Sequence, residues 1–180
     1  MKKIKLLILD VDGVLTNGKK YYDNTGKVHL KTFCDKDWTV IKRFKTLGIG
    51  VICITGDPFN KFIEEKRNIK VYLNRKDKSH IDKKEFLSEI CKNYNVNSEE
   101  ICFVGDDIFD VGLMKDLKYS FCPSDAPQVV KENSKSLASK GGDNVLVELY
   151  EKLESMSLIE KKDYEEIIQP LYEEDIKDMF

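Results

Sequence analysis

The run Leu7-Ile8-Leu9-Asp10-Val11-Asp12-Gly13 constrains this chain more than any other stretch of it. An unbroken apolar run has the character of a strand buried on both faces. Here it ends in two acids two residues apart, and a glycine then allows the chain to turn. Residues two apart on a strand share a face. Just past a strand end, both carboxylates can therefore enter one crevice at the carboxyl edge of a sheet. Like charges held there repel, and need a cation or a shared proton. A hard divalent ion such as Mg²⁺ stabilises both acids and attracts phosphate oxygens.

The remainder of the chain alternates strands with helices. Lys3–Leu9, Ile49–Ile54, Ile69–Leu73 and Ile101–Val104 read as strands, with shorter ones at Tyr119–Cys122 and Ser136–Ala138. Trp38, Ile41, Phe44 and Leu47 recur every third residue, which predicts a helix closed by Gly48. Phe86, Leu87, Ile90, Cys91 and Tyr94 form a second apolar helical face. Further helices are expected from Pro58, over Ile108–Lys118 and over Asn144–Leu153. Such alternation predicts an α/β fold, a three-layer Rossmann-like parallel sheet with right-handed crossovers. Lys19–Tyr22 and Val28–Thr32 flank the turn-rich Asp23-Asn24-Thr25-Gly26, so a small β-hairpin insert follows strand 1. With 180 residues there is no room for a large cap. Residues 1–154 are expected as one domain. Residues 155–180 are acid-rich with scattered apolar side chains, and are expected as a helical or disordered extension.

Composition excludes several function classes. The net charge is -2 with both signs interspersed, which gives no nucleic-acid stripe and no polybasic membrane anchor. The apolar stretch behind Met1-Lys2-Lys3 is short and runs into Asp10, so it reads as a strand rather than a signal peptide. Five scattered cysteines form no C-x-x-C pair and read as reduced packing residues of a cytoplasmic protein.

Three strand ends carry polar clusters: Asp10/Asp12, Thr55-Gly56 and Gly105-Asp106-Asp107. Ligands of open α/β sheets bind outside the carboxyl ends of the strands, so the three clusters should converge. Acids suit Mg²⁺, while a hydroxyl, backbone amides and a lysine suit phosphate oxygens. Each piece alone has a plainer reading. Asp57 in Thr55-Gly56-Asp57-Pro58 could simply cap a helix, and Asp106-Asp107 could favour a helix dipole. Trp38 is more simply a core residue, and His29 and His80 surface residues.

Asp10-Val11-Asp12-Gly13-Val14-Leu15-Thr16, Ile54-Thr55-Gly56, Asp82-Lys83 and Val104-Gly105-Asp106-Asp107 resemble, in order, the four motifs of the haloacid dehalogenase superfamily. The match is closest to its small capless phosphatases, those acting on 3-deoxy-D-manno-octulosonate 8-phosphate and on nonulosonate 9-phosphates. The hairpin insert and Gly141-Gly142 before a final helix also resemble that branch, and the likeness covers about residues 3–153.

The resemblance implies a phosphomonoesterase working through an aspartyl-phosphate. Asp10 would be the nucleophile and Asp12 the general acid and then base. Asp10, Asp12 (through its backbone carbonyl) and Asp106 would hold Mg²⁺, supported by Asp107 and Asp110. Thr55, Gly56 and a lysine would bind the phosphoryl oxygens. Counting back from Gly105 favours Lys83 as that lysine; counting forward from Val71-Tyr72-Leu73 favours Lys78.

It also implies a homotetramer that completes each open site, and a small phosphorylated metabolite as substrate. Two departures bear on which metabolite. Asp57 stands where relatives carry a basic residue, and is expected to repel a substrate carboxylate. Asp37-Trp38-Thr39-Val40 replaces an Asp-Gly-x-Gly. A different sugar or nucleotide-sugar phosphate is therefore an alternative substrate. A regulatory, non-catalytic subunit of a sugar-activating pathway is the alternative from another function class.

Overall fold

A computed structural model describes residues 2–74 and 82–177 of the chain. The first elements are β1 (Leu6–Leu9), a hairpin of β2 (Tyr21–Tyr22) and β3 (Val28–Leu30), and α1 (Asp35–Thr46). Then come β4 (Gly50–Thr55), a 3₁₀ turn at Pro58–Lys61 leading into α2 (Phe62–Arg67), and β5 (Lys70–Leu73). A 3₁₀ turn at Lys83–Phe86 runs into α3 (Leu87–Tyr94), followed by β6 (Ile101–Val104). A third such turn, Ile108–Asp110, leads to α4 (Val111–Asp116) and β7 (Tyr119–Cys122). The chain closes with α5 (Gln128–Lys131), β8 (Lys135–Ser136), α6 (Val145–Ser155) and α7 (Tyr164–Asp175). Lys78, the alternative phosphate-binding lysine, lies outside the described residues, as does His80.

Six strands form one sheet in the order β5-β4-β1-β6-β7-β8, and every pairing is parallel. Such a sheet needs cover on both faces, which is why β1 is apolar at every position and fully buried. Leu7 and Leu9 face a core with Phe44, Leu149 and Tyr150. Leu6 and Ile8 face the opposite core with Phe86, Ile90 and Leu113. The three layers expected from the alternating pattern are present, and among the described residues no large cap is. Strand order reverses beside β1: β4 and β5 lie on one side, β6 and β7 on the other. The crevice beyond the carboxyl ends at such a reversal is where doubly wound sheets take ligands. Register brings the polar clusters level there, because Leu9 pairs with both Cys53 and Val104.

The expected helix over Ile108–Lys118 is shorter and tighter at its start. Asp110 explains this: its Oδ2 accepts the backbone N–H of both Asp106 and Asp107 at 2.9 Å. Drawing both amides onto one carboxylate tightens the first turn into 3₁₀ geometry before α4 begins. The β2–β3 hairpin stands apart from the main sheet as an antiparallel pair, tied at its base by the Thr16–Phe33 bridge. At the other end of the chain, α7 lies against α1, with Lys42 Nζ 2.5 Å from Asp175 Oδ1.

Candidate active site

Asp10, Asp12, Thr55, Gly56, Lys83, Asp106 and Asp107 all line one cleft of about 630 Å³ at the carboxyl edge of the sheet. Asp110 lies fully buried beneath it. The cleft has an inner cluster built on the sheet and an outer cluster built where the hairpin meets the β4 loop.

The inner cluster centres on Asp10. Its backbone N–H continues the sheet by donating to the Val104 carbonyl at 2.9 Å. Its side chain is held by two contacts, the Val11 N–H donating to Oδ1 at 2.7 Å and Lys83 Nζ lying 2.9 Å from Oδ2. Lys83 also reaches Asp110 Oδ1 at 2.6 Å and is 97% buried at its side chain. Two capping contacts put Lys83 there. Asp82 accepts the Lys84 N–H in a capping box with Glu85. A Cβ on Gly112 of α4 would lie 2.0 Å from Asp82 Oδ2, so glycine there leaves the Asp82 carboxylate its place against α4.

Asp106 completes the inner cluster. Carboxylate oxygens of Asp10, Asp106 and Asp110 lie within 4.8 Å of one another. Burial, then the charges of Asp10 and Asp110, raises the Asp106 pKa. Burial likewise raises that of Asp10, against the opposing pull of Lys83. Among the described residues, Asp106 Oδ1 is buried with no hydrogen-bond partner. Three carboxylates against one ammonium leave a deficit of two positive charges, with an orphaned oxygen in the middle of it. That donor set fits a divalent cation.

The turn after Asp12 makes this closeness possible. Gly13 has φ +91°, and a Cβ there would lie 1.9 Å from Asp106 Oδ2. Thr16 Oγ1 accepts its N–H at 3.3 Å. Asp107 turns away from the cluster, its Oδ1 accepting the Ile108 N–H at 2.6 Å as a cap.

The outer cluster holds Asp12, whose carboxylate does not join the inner acids. Lys31 Nζ donates to Asp12 Oδ1 at 2.6 Å, and Asn60 Nδ2 donates to Asp12 Oδ2 at 2.9 Å. Asn60 Nδ2 also donates to Thr55 Oγ1 at 2.8 Å, tying the β4 end to the same network. Lys31 further donates to Asp57 Oδ2 and to Asn60 Oδ1, both at 2.9 Å. Lys20 Nζ lies 2.7 Å from the same Asp57 oxygen. Burial works against a charge on Asp57, yet Lys20, Lys31 and the Phe59 N–H outweigh it and hold the carboxyl far below its usual range.

Lys20, Lys31 and Asn60 are absent from the residues the motifs single out. Lys31 sits on the far arm of the hairpin and Asn60 in a proline-led turn, and no local spacing links either to Asp12. An acid at position 57 beside the cluster was the one available signal that cations must be near. Trp38 has its simpler reading: it is buried in the core, with Phe33 5.4 Å away and the Arg67 guanidinium 4.6 Å from its ring centre.

A family model described as haloacid dehalogenase-like hydrolase matches residues 77–149. The chain is 31% identical over 133 residues to 3-deoxy-D-manno-octulosonate 8-phosphate phosphatase KdsC of Haemophilus influenzae, covering 73% of this chain and 71% of that protein. It is 33% identical over 125 residues to the protein of the same name from Escherichia coli K12, where the match covers 69% of this chain and 65% of the relative. The chain thus spans just under two thirds of the length of the latter. Among solved structures, the cobalt-bound deoxy-D-mannose-octulosonate 8-phosphate phosphatase of Haemophilus influenzae superposes with a TM-score of 0.77 at 28% identity, covering 86% of this chain and 90% of that one.

Proposed function

This chain belongs to the haloacid dehalogenase-like hydrolases, among their phosphatases, and from that premise we propose that it is a Mg²⁺-dependent phosphomonoesterase for a phosphorylated sugar acid of the octulosonate or nonulosonate type. One observation carries the chemistry: Asp10, Asp106 and Asp110 cluster with a single ammonium, Lys83, which pairs with Asp10 and Asp110, and so leave room for two positive charges beside a carboxylate at a strand end. The sugar-acid class is supported by what the relatives act on.

Asp10, Asp106 and the backbone of Asp12 would hold the cation, with Asp110 beneath them fixing the Asp106 and Asp107 amides. When bound, the cation supplies charge for the phosphoryl oxygens and lets Asp10 stay ionised beside Asp106. Thr55, the Gly56 N–H and Lys83 bind the same oxygens. A carboxylate oxygen of Asp10 attacks phosphorus, the bond to the sugar oxygen breaks, and Asp12 donates its proton to that leaving oxygen. Asp12, now ionised, accepts a proton from water as the water attacks phosphorus. The bond to Asp10 breaks, and inorganic phosphate leaves.

Asp10 and Asp12 can take opposite parts because they stand in different surroundings. Asp10 is locked against Lys83 in the sheet, and Asp12 is held at the rim by Lys31 and Asn60. The hairpin exposes Tyr21, Tyr22 and Leu30, apolar surface that fits the proposed homotetramer; a monomer in sedimentation at micromolar concentration would end that part of the reading. No helix among the described residues is long and apolar enough to cross a membrane, which is compatible with a cytoplasmic protein.

A phosphate-release screen over sugar phosphates, with Mg²⁺ and with a chelator, tests the proposal. Release from octulosonate or nonulosonate phosphates that stops on chelation is expected. No release from any phosphomonoester would overturn it.

A further inference from the structure

We propose that Lys20 is a specificity-determining residue of this cleft, placed by Asp57 at its rim to take a carboxylate on the leaving group. The inference rests on the phosphatase reading and adds to it a residue that selects the substrate. An acid at position 57, read alone, excludes anions. In the folded protein that acid is spent on Lys31 at 2.9 Å and Lys20 at 2.7 Å, and on the Phe59 N–H at 3.0 Å. Asp57 is therefore an anchor for two cations rather than a barrier.

The two lysines are not equivalent. Lys31 has a fully buried side chain, and its three donors meet Asp12, Asp57 and Asn60. An ammonium has three donors, so Lys31 has nothing left for a ligand. Lys20 lines the cleft and keeps 31% of its side chain exposed. Its contact with Asp57 uses one donor and leaves two. The other rim residues offer shape rather than charge of this sign: Pro58 and Phe109 also line the cleft, with Phe109 40% exposed.

A rim carboxylate bound this way senses ionic strength, because Lys20 is partly open to water.

The test compares kcat/KM for 3-deoxy-D-manno-octulosonate 8-phosphate with that for an uncharged sugar carrying a terminal phosphate, in wild type, Lys20→Gln and Lys20→Arg. Losing a hydrogen bond to a charged group should lower the acid-to-neutral ratio roughly ten- to hundredfold in Lys20→Gln, mainly through KM. Lys20→Arg should restore most of it, and added salt should erode the wild-type preference more than that of Lys20→Gln. An unchanged ratio in Lys20→Gln, or an equal fall in Lys20→Arg, would overturn the assignment. A wild type that hydrolyses phosphomonoesters but prefers the uncharged sugar would overturn it while leaving the phosphatase reading intact. A wild type with no phosphatase activity would remove both.

Discussion

At the scale of single residues, one side chain's charge says little until its neighbours are known. Asp57 looks like a barrier to anions in the sequence and is a paired anchor in the fold. Asp10, Asp12, Thr55, Gly56 and Asp106 were legible as members of one cleft because each sits at or just beyond an element end, whereas two conflicting counts left both Lys83 and Lys78 open for the lysine. Lys31 and Asn60 were not, since their contacts with Asp12 bridge sequence separations of 19 and 48 residues.

The division between inner and outer acids predicts distinct failures. Asp12→Asn should lower kcat by about 10²- to 10⁴-fold, the usual worth of acid–base catalysis. It should leave cation binding nearly unchanged, measured as the rise in melting temperature on adding Mg²⁺. Loss of that thermal shift would place the Asp12 carboxylate among the ligands. Gly13→Ala should abolish both activity and shift, because its Cβ would displace the Asp106 carboxylate; a variant with normal Mg²⁺ response would contradict the close approach. Lys31→Met leaves Asp12 and Asp57 short of a buried partner and should cost about 3–5 kcal/mol in urea unfolding. A loss below about 1 kcal/mol would show that solvent screens the pair.

At the scale of elements, the strands were legible and the first turns of helices were not. A strand covered on both faces must be apolar, which β1 and β6 display throughout and β4 displays up to its polar end at Thr55. The start of α4 depends instead on the reach of Asp110 to two amides, a contact that periodicity does not report. The α1–α6 junction carries another such contact. Asp37, 1% exposed, accepts the Leu146 N–H at 2.9 Å in the first turn of α6, whose N-cap Asn144 supplies no side-chain cap. Among the described residues, the other Asp37 oxygen is buried without a hydrogen-bond partner, and burial pushes the Asp37 pKa up to about 6 against the Leu146 contact.

The folded protein therefore binds a proton on Asp37 more tightly than the unfolded chain does. Between about pH 4 and pH 6 this group makes the fold less stable as pH rises. Asp37→Asn keeps an acceptor for the Leu146 N–H without the buried charge. Relative to wild type, it should gain stability steadily from pH 4 to pH 7, by at most on the order of 3 kcal/mol. Parallel stability curves for the two proteins would show that Asp37 titrates normally.

For the whole molecule, one sheet reversal accounts for the position of the site. β1 lies between β4 and β6, so the ends that carry Asp10, Thr55 and Asp106 converge without any cap. Hairpin and α7 are additions to that frame: the hairpin supplies Lys20 and Lys31 to the rim, while α7 covers α1. Strand alternation foretold the frame, whereas the packing of residues 164–175 depended on a surface of α1 that no local pattern identifies. Ending the chain at residue 160 should lower the melting temperature by uncovering α1 and leave the sheet's chemistry in place, a change that calorimetry and phosphate release separate. Abolished activity in a folded truncation would give α7 a part in the site.

The central claim is that Asp10 carries the phosphoryl group between substrate and water. Rapid acid quenching of wild type with substrate labelled in its phosphate should trap label on the protein. That label should be released by hydroxylamine, as an acyl phosphate is, and be missing from Asp10→Asn. Undiminished phosphate release by Asp10→Asn, or label that survives in that variant, would contradict the account.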